Sequence, residues 1–292
     1  MQRKANRAPS GHLSRLKPVE IDPLSEYGLP SKGEKRLLSP KTQEAYYSKI
    51  AERYLAFCTS AGDRDGLHKQ FALLALSDEP PSTPTSSTSS SAESQQTDLS
   101  QILSALRKLR EGIVASKRRD AFAVQVYLFA IRLGVLVSSY ETYQPALLYL
   151  LRVIHPAHNL TSVELQEVVA YLILDAACRR GDLAGAYALR NKYRLKDAKV
   201  DGVLKALAQD DWVLWGKVRR SVDGHRAKLM EYAEPQLRGH VLKAFGRSYL
   251  SVDVGFLEAQ TFASWRELKE QFGVGWELNN GRVVIRKIQG RS

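Results

Sequence analysis

The chain has 292 residues, of which 44% are hydrophobic, enough to form the core of one large domain or two small ones. No apolar run approaches the roughly 20 residues of a membrane-spanning helix, and the N-terminal residues contain no apolar stretch typical of a secretory signal. A total of 43 Lys and Arg against 31 Asp and Glu gives a net charge of +12, which favours a polyanionic partner, nucleic acid first.

Residues 1–40 are predicted to be a basic, disordered arm, because they combine Pro, Gly, Ser and charge without hydrophobic periodicity. A solvated basic tail that binds nothing in particular would also account for part of the net charge. A mitochondrial transit peptide is a weaker interpretation, since Pro9 and Pro18 interrupt the amphipathic helix that such a peptide needs.

Residues 41–77 are predicted to be an amphipathic helical segment. Tyr46, Ile50, Tyr54 and Phe57 recur near helical spacing, and a second apolar piece follows at Phe71 to Leu76. Residues 78–98 are rich in Ser, Thr and Pro and are predicted to be a flexible linker, because they cannot bury enough apolar surface to offset the entropy of ordering.

Residues 99–234 are predicted to form successive helices with short breaks. A capping box at Thr161 opens a helix through Arg179, and Asp182 begins the next helix almost at once, which predicts an antiparallel helix pair. A similar pair is predicted at Val200 to Ala208 and Trp212 to Val222. The pitch of roughly 40 residues per pair is typical of helical-repeat proteins.

Residues 235–288 are predicted to form a compact winged helix. Pro235 opens a first helix, Ser251 or Asp253 caps a second, and Ser264 caps a third over Trp265 to Phe272. Asn280-Gly281 then predicts a two-residue type I′ turn, because both central positions of that turn need positive φ. Three helices followed by a β-hairpin are a variant of helix-turn-helix.

Alternation along the hairpin assigns its side chains to two faces. Trp276, Leu278, Val283 and Ile285 are predicted to share one face, and the other face carries Arg282, Val284 and Arg286 and is therefore largely basic.

Three stretches resemble the PCI domain, a right-handed stack of helical hairpins that runs into a winged helix and is found in the proteasome lid, the COP9 signalosome and initiation factor three. They are AYLILDAACRRGDLAGAYALRNKY, DDWVLWGKV with the short helices behind it, and LRGHVLKAFGRSYLSVDVGFLEAQTFASWRELKEQFGVGWELNNGRVVIRK, which contains the step Tyr249 to Val252. The resemblance covers about Leu99 to Ile288 and is strongest to the small-subunit group: the eighth signalosome subunit, its lid counterpart and the k subunit of the initiation factor. GANP-like PCI proteins of mRNA export and splicing are the second choice, and the Ser-rich insert and basic arm fit neither group's usual pattern.

The resemblance implies a mostly α-helical, non-enzymatic scaffold subunit with other PCI and MPN-type subunits as partners. A second hypothesis is RNA or DNA binding through a basic winged helix, with phosphate contacts from Arg266, Lys269, Arg282, Arg286 and Lys287. For contact with a protein partner, the candidates are Trp276, Val284 and Ile285. In the alternative interpretation, Glu267 and Glu270 interleave with the bases and offset their charge, so that helix face is an ordinary solvent-exposed surface without a binding role.

No pattern for a catalytic, metal or cofactor site is recognisable, so we expect no enzyme activity, cofactor, metal, small-molecule substrate or membrane partner. Cys58 and Cys178 are interpreted as small buried hydrophobes. A reducing compartment is expected, in the nucleus and cytoplasm. The Lys117-Arg118-Arg119 run could be a nuclear signal, but we favour a charge cluster at a helix start.

Overall fold

The chain folds mostly into α-helices, with a small three-stranded antiparallel sheet near the C-terminus. The computed structural model describes Leu24, residues 27–60 and residues 90–286. The helices are α1 (Pro40–Ser60), α2 (Ser90–Ala115), α3 (Ala121–Leu136), α4 (Tyr140–Tyr149), α5 (Ser162–Leu174), α6 (Leu183–Tyr193), α7 (Ala198–Gln209), α8 (Trp212–Arg219), α9 (Gly224–Met230), α10 (Glu234–Ser248), α11 (Val254–Thr261) and α12 (Trp265–Phe272). The strands are β1 (Ser251–Asp253), β2 (Glu277–Asn279) and β3 (Arg282–Val284).

The structure corrects the predicted disordered arm, residues 1–40, in its last part. Two 3-10 turns, Pro30–Lys32 and Arg36–Leu38, contact α2, and the second also contacts α1. Leu37 is fully buried, and its carbonyl oxygen would lie 2.7 Å from a Cβ placed on Gly112 of α2. Such single apolar anchors have no regular spacing, so hydrophobic periodicity does not detect them. Residues 1–23 of the predicted arm lie outside the described residues.

The predicted flexible linker, residues 78–98, is also corrected in part, because α2 begins at Ser90. Ala92, Glu93 and Gln95 have good helix propensity, and the same helix continues into fully buried residues such as Leu99. A helix anchored by a buried face extends beyond that face when its sequence permits. Residues 61–89, including the predicted apolar piece at Phe71 to Leu76, lie outside the described residues.

Helices α1 to α8 pack in consecutive pairs: α1 with α2, α3 with α4, α5 with α6, and α7 with α8. Residues 137–139 join α3 to α4 and residues 210–211 join α7 to α8, so the members of these pairs run antiparallel. Helix α9 then packs back against α3 and α5. The predicted helix pairs at α5/α6 and α7/α8 are thus present, while their arrangement as a regular right-handed repeat stays a prediction.

Side-chain caps fix the helix starts where the sequence predicts them. Thr161 and Glu164 form a complete capping box at α5, and Asp182 and Asp211 accept backbone N–H groups at the starts of α6 and α8. Each such cap stabilises its helix by about 1 kcal/mol. The Lys117 to Arg119 run precedes α3, where Arg118 forms ion pairs with Glu44 at 2.6 Å and with Asp120 at 2.8 Å.

A carboxylate inside the core ties α4 to the π-helical turn that follows α5. Tyr143 Oη donates to Asp175 Oδ1 at 2.8 Å, and Arg179 donates to the same carboxylate through Nε at 2.6 Å and Nη2 at 3.0 Å. Asp175 is fully buried, so these donors replace the water that the charge has lost. The neutral form of Tyr143 is favoured by its burial and by the adjacent carboxylate, which raise its pKa above the usual range.

Residues 234–286, here called the C-terminal unit, contain α10, β1, α11, α12, β2 and β3 in that order. β3 lies in the middle of the sheet, and Val283 is paired with Val252 of β1 on one side and with Leu278 of β2 on the other. The sequence predicts the hairpin of β2 and β3 but not β1, because three residues are too few for an alternation signal. Asp253, rather than Ser251, caps α11.

The C-terminal unit has a hydrophobic cluster of its own, which lies beside the main core. Its buried members are Val241, Phe245, Val252, Leu257, Ala263, Leu268 and Val283. The unit is joined to the helix pairs by Phe262, whose ring packs on the main cluster against Gly216 of α8. Within the unit, Arg238 of α10 holds the backbone at Phe262 by donating to the Thr261 carbonyl at 2.9 Å and to the Phe262 carbonyl at 3.1 Å.

Candidate interaction surface of the C-terminal unit

Helix α12 presents the basic residues that the sequence predicts on its exposed side. Ser264 and Glu267 form a capping box at its start, and Gly273 ends it with a left-handed φ of 58°. Leu268 is buried in the cluster of the C-terminal unit, which turns Arg266 and Lys269 outward. The predicted bounds of this helix, its cap and its stop residue are confirmed.

Arg266 is strongly exposed, with 83% of its side chain accessible, but it pairs with an acid of its own helix. Its Nε lies 2.9 Å from Glu270 Oε1. Glu267 receives the backbone N–H and the hydroxyl of Ser264, and these hydrogen bonds lower the pKa of its carboxyl, which therefore stays ionised. Both acids predicted to interleave with the bases thus lie on the same helix as the bases, and Glu270 pairs directly with Arg266.

Lys269 is exposed but contacts the start of the hairpin. Its Nζ donates to the Trp276 carbonyl oxygen at 3.2 Å and stands 5.7 Å from the centre of the Trp265 ring. A cation over an indole ring is stabilised by the negative face of the ring. Lys269 therefore links α12 to the segment that enters β2.

Arg282 and Arg286 are both exposed and both contact the chain on the β1 side of the sheet. Arg282 donates to Ser251 Oγ at 3.3 Å, and Arg286 donates to the Gly246 carbonyl near the end of α10. Lys287, the fifth candidate phosphate ligand, lies outside the described residues.

The outer face of the sheet is less basic than the hairpin alone predicts. Residues paired across an antiparallel sheet point to the same face, so Arg282 shares its face with Asp253 of β1, and Val284 shares it with Glu277 of β2. The prediction of a largely basic face is corrected, because it did not include β1 and counted only one strand of the hairpin. Acids and bases nearly balance over the whole C-terminal unit.

The residues predicted to contact a protein partner are all partly buried within the unit. Trp276 and Ile285 pack against its hydrophobic cluster, and the Trp276 ring passes beside Gly246. Val284 lies on the outer face of the central strand and is half-buried. These three side chains therefore pack within the unit and leave only part of their surface accessible to a partner.

An apolar surface that the sequence reasoning missed lies beside β1. Tyr249, Leu250 and Phe256, here called the outer patch, have 45%, 51% and 48% of their surface exposed. Tyr249 and Phe256 both contact the buried Phe245 ring, at 5.0 and 6.0 Å between centroids. Tyr249 and Leu250 precede a strand that no sequence signal predicts, so their exposure could not be read from the pattern.

The edge strand β2 adds one more exposed apolar side chain, Leu278, whose exposed fraction is 43%. Leu278 points to the same side as Val283 but lies at the rim of the sheet. Because β3 is central, β1 and β2 both present one edge without a strand partner in the described part of the chain.

Within the described ranges, no group of three or more His, Cys, Asp or Glu is placed to hold a metal ion, and no helix is long and apolar enough to cross a bilayer. Cys178 is buried as predicted, and burial raises the pKa of its thiol, whereas Cys58 is only partly buried.

In comparisons with known proteins, no family model matches the chain, and no curated protein matches it.

Proposed function

We propose that the protein is a non-catalytic scaffold subunit of the PCI type, which assembles a multi-subunit complex through its paired helices and its C-terminal unit. Complexes of the proteasome-lid, signalosome or initiation-factor kind are the expected setting. In this proposal the C-terminal unit is a winged helix, α12 is its recognition-type helix and the β2–β3 hairpin is its wing.

Two features of the architecture support the proposal. The order helix, strand, helix, helix, strand, strand agrees with a helix-turn-helix unit that carries a β-wing. The helices that precede it pack in consecutive pairs, as the helical part of a PCI domain would require. The right-handed sense of that stack is part of the proposal.

The observation that carries the proposal is the outer patch of Tyr249, Leu250 and Phe256 next to the edge of β1. Large exposed apolar side chains near a sheet with open strand edges are typical of a surface that a protein partner covers. The four described candidate phosphate ligands, Arg266, Lys269, Arg282 and Arg286, all have contacts within the chain, and Asp253 shares the sheet face of Arg282. These residues therefore favour a protein surface over a phosphate backbone.

Binding of RNA or DNA through the same unit is the second candidate function. It is favoured by the net charge of +12 and by the strongly exposed Arg266 on the proposed recognition-type helix. Arg266, Lys269, Arg282, Arg286 and Lys287 would then contact phosphates.

Purification of the tagged full chain from its native cells, with and without nuclease, tests the proposal. We expect several PCI or MPN-type proteins to co-purify in both cases and to be lost from the Leu250→Asp/Phe256→Asp variant. Val163→Asp is the control, since Val163 is 74% exposed in the first turn of α5, outside the C-terminal unit.

Loss of the partners on nuclease treatment would overturn the scaffold proposal in favour of the nucleic-acid alternative. The same conclusion would follow if Arg282→Ala/Arg286→Ala released the partners and the outer-patch variant retained them. Recovery of the intact protein without any PCI or MPN-type subunit would contradict both the family assignment and the scaffold role.

A further inference from the structure

A groove crosses the helix pairs between α4 and α6, with a volume of about 420 Å³. It is lined only by residues between Gln144 and Tyr193, so it shares no residue with the C-terminal unit. Four leucines give it apolar walls and floor: Leu148, Leu151, Leu172 and Leu189. Leu151 and Leu172 are buried, and the other two are partly exposed to the groove.

Three cations also line this groove and are exposed: Arg152, Arg180 and Lys192. Among the described residues, Arg152 has no hydrogen-bond or ion-pair partner. Lys192 Nζ lies 5.5 Å from the centre of the neighbouring Tyr193 ring and forms no ion pair with the described residues. Arg180 lies 3.4 Å from the buried Asp175 and keeps part of its guanidinium exposed.

Asp182 is the only acid among the lining residues, and its carboxylate is already hydrogen-bonded within the chain. Its Oδ1 accepts the backbone N–H of Gly185 at 2.8 Å as the N-cap of α6. The groove therefore has an excess of positive charge around an aliphatic floor.

The wall formed by α6 explains why the groove is open. Gly185, Ala188, Leu189 and Lys192 recur at intervals of three and four residues and so lie along one side of the helix. Ala188 has a short side chain, which keeps this wall low, whereas the Asp182 carboxylate occupies the position that a side chain on Gly185 would take. The same face ends in Lys192, which places a cation at the C-terminal end of the wall.

We propose that this groove binds an acidic, amphipathic helix of a protein partner. Aliphatic side chains of that helix, at intervals of three and four residues, enter between α4 and α6 and contact the leucines. Its Asp or Glu side chains reach Arg152 and Lys192 and form charge-assisted hydrogen bonds with them. Charge complementarity thus requires a negatively charged partner helix, and the leucine floor requires that one side of that helix be apolar.

The floor argues against a nucleic acid as the occupant. Single-stranded RNA or DNA is held by bases that stack on exposed aromatic rings, with cations along the backbone. The aromatic residue among the lining residues is Tyr193, which is half-buried at the end of α6, and the accessible floor is aliphatic.

Selection of short random peptides displayed on phage against the full-length protein tests the proposal, followed by fluorescence anisotropy with the selected peptides. We expect peptides that combine Asp or Glu with aliphatic residues at helical spacing. Arg152→Glu/Lys192→Glu should weaken their binding by at least about tenfold, because close charge pairs at an interface contribute more than 1.4 kcal/mol in total. Lys205→Glu/Lys217→Glu is the matched control, since both lysines are exposed on α7 and α8 and neither lines the groove.

A steric pair of variants separates the groove from general charge attraction. Ala188→Trp fills the groove without changing a charge and should abolish peptide binding, whereas Ala184→Trp should leave it unchanged. Ala184 is exposed on the same helix and does not line the groove. Circular dichroism melting of all variants shows that they remain folded.

The proposal is overturned if no selected peptide depends on the groove variants, or if the selected peptides are neutral or basic. If Arg152→Glu/Lys192→Glu and Lys205→Glu/Lys217→Glu weaken binding equally, the peptides respond only to the net charge of the protein. That result would also overturn the proposal. A labelled uridine oligonucleotide that binds the native protein and is released by Arg152→Glu/Lys192→Glu would assign the groove to RNA instead.

Discussion

The Phe262 ring packs so closely on Gly216 that a Cβ placed on that glycine would stand 2.5 Å from Phe262 Cζ. Phe262 has a left-handed φ of 54° at the C-terminal end of α11, and Gly216 lies within α8. This contact joins the C-terminal unit to the helix pairs.

We therefore expect Gly216→Ala to reduce the free energy of unfolding by about 1–3 kcal/mol, because the ring must move out of a well-packed site. Urea unfolding followed by circular dichroism measures the change. Gly239→Ala is the control: Gly239 lies within α10, nothing stands within 4 Å of its added Cβ, and the substitution should be neutral or stabilising. Equal stability of the Gly216→Ala and native proteins would show that the junction is loose.

The buried carboxylate of Asp175 gives a second prediction. Asp175→Ala should reduce the free energy of unfolding by about 3–5 kcal/mol, because it leaves the Arg179 charge and the Tyr143 hydroxyl without their partner. Tyr143→Phe removes one hydrogen bond to a charged group and should cost about 1.5–3 kcal/mol.

Tyr232→Phe provides the comparison for this series, since the Tyr232 hydroxyl donates to the neutral carbonyl of Ser138 at 2.8 Å. Its cost should be smaller, about 0.5–1.5 kcal/mol. Chemical denaturation of the three variants gives the order, and a Tyr232→Phe cost larger than that of Asp175→Ala would contradict the assigned role of the carboxylate.

Alkaline pH should destabilise the fold through its buried tyrosines. Burial raises the pKa of Tyr54, Tyr127, Tyr143 and Tyr171 above the usual range. The unfolded chain loses these protons near pH 10 while the folded protein retains them. The free energy of unfolding should therefore fall as the pH rises above about 10, and this contribution is fully present below that pH.

Denaturation between pH 8 and 12 checks this dependence, with Tyr127→Phe showing a shallower decline than the native protein. Absorbance of tyrosinate in the folded protein gives an independent reading. A native protein whose stability is constant up to pH 12 would contradict the prediction.

The hairpin turn supplies a fourth prediction. Asn280 and Gly281 have φ values of 49° and 77°, which confirms the turn predicted from the sequence. Gly281→Val should cost about 1–2 kcal/mol, because a β-branched residue is disfavoured at positive φ. Hydrogen exchange of residues 276–286 should accelerate in this variant.

Gly275→Val is the corresponding control. Gly275 is exposed just before β2, its φ lies outside the left-handed region, and nothing stands within 4 Å of an added Cβ. If the two valine variants exchange at the same rate, the turn does not require its left-handed backbone.

The sequence predicts those features that local chemistry determines. Capping residues such as Thr161, Asp211 and Ser264 mark helix starts because their side chains bind backbone groups three residues away. The Asn280-Gly281 turn is equally local. These signals locate the helix pairs, helix α12 and the hairpin.

The sequence does not predict features that depend on contacts between residues far apart in the chain, because no local signal marks them. Leu37 is buried because α1 and α2 both pack against its turn, and β1 is a strand only because β3 pairs with it. The charge of the sheet face follows from register, since Asp253 lies opposite Arg282 although they are far apart in sequence. Exposure of the outer patch likewise becomes visible only when β1 is placed.

The central position of β3 has a consequence for biosynthesis. Both outer strands precede β3 in the chain, so neither ladder of the sheet can form until residues 282–284 have been synthesised. At about 5–20 residues per second, a ribosome takes a few seconds to pass from β1 to β3, during which Val252 has no partner strand. The helix pairs can fold during that interval, while the C-terminal unit is completed last. A chain that ends before residue 282 would leave both β1 and β2 without the strand that pairs with them.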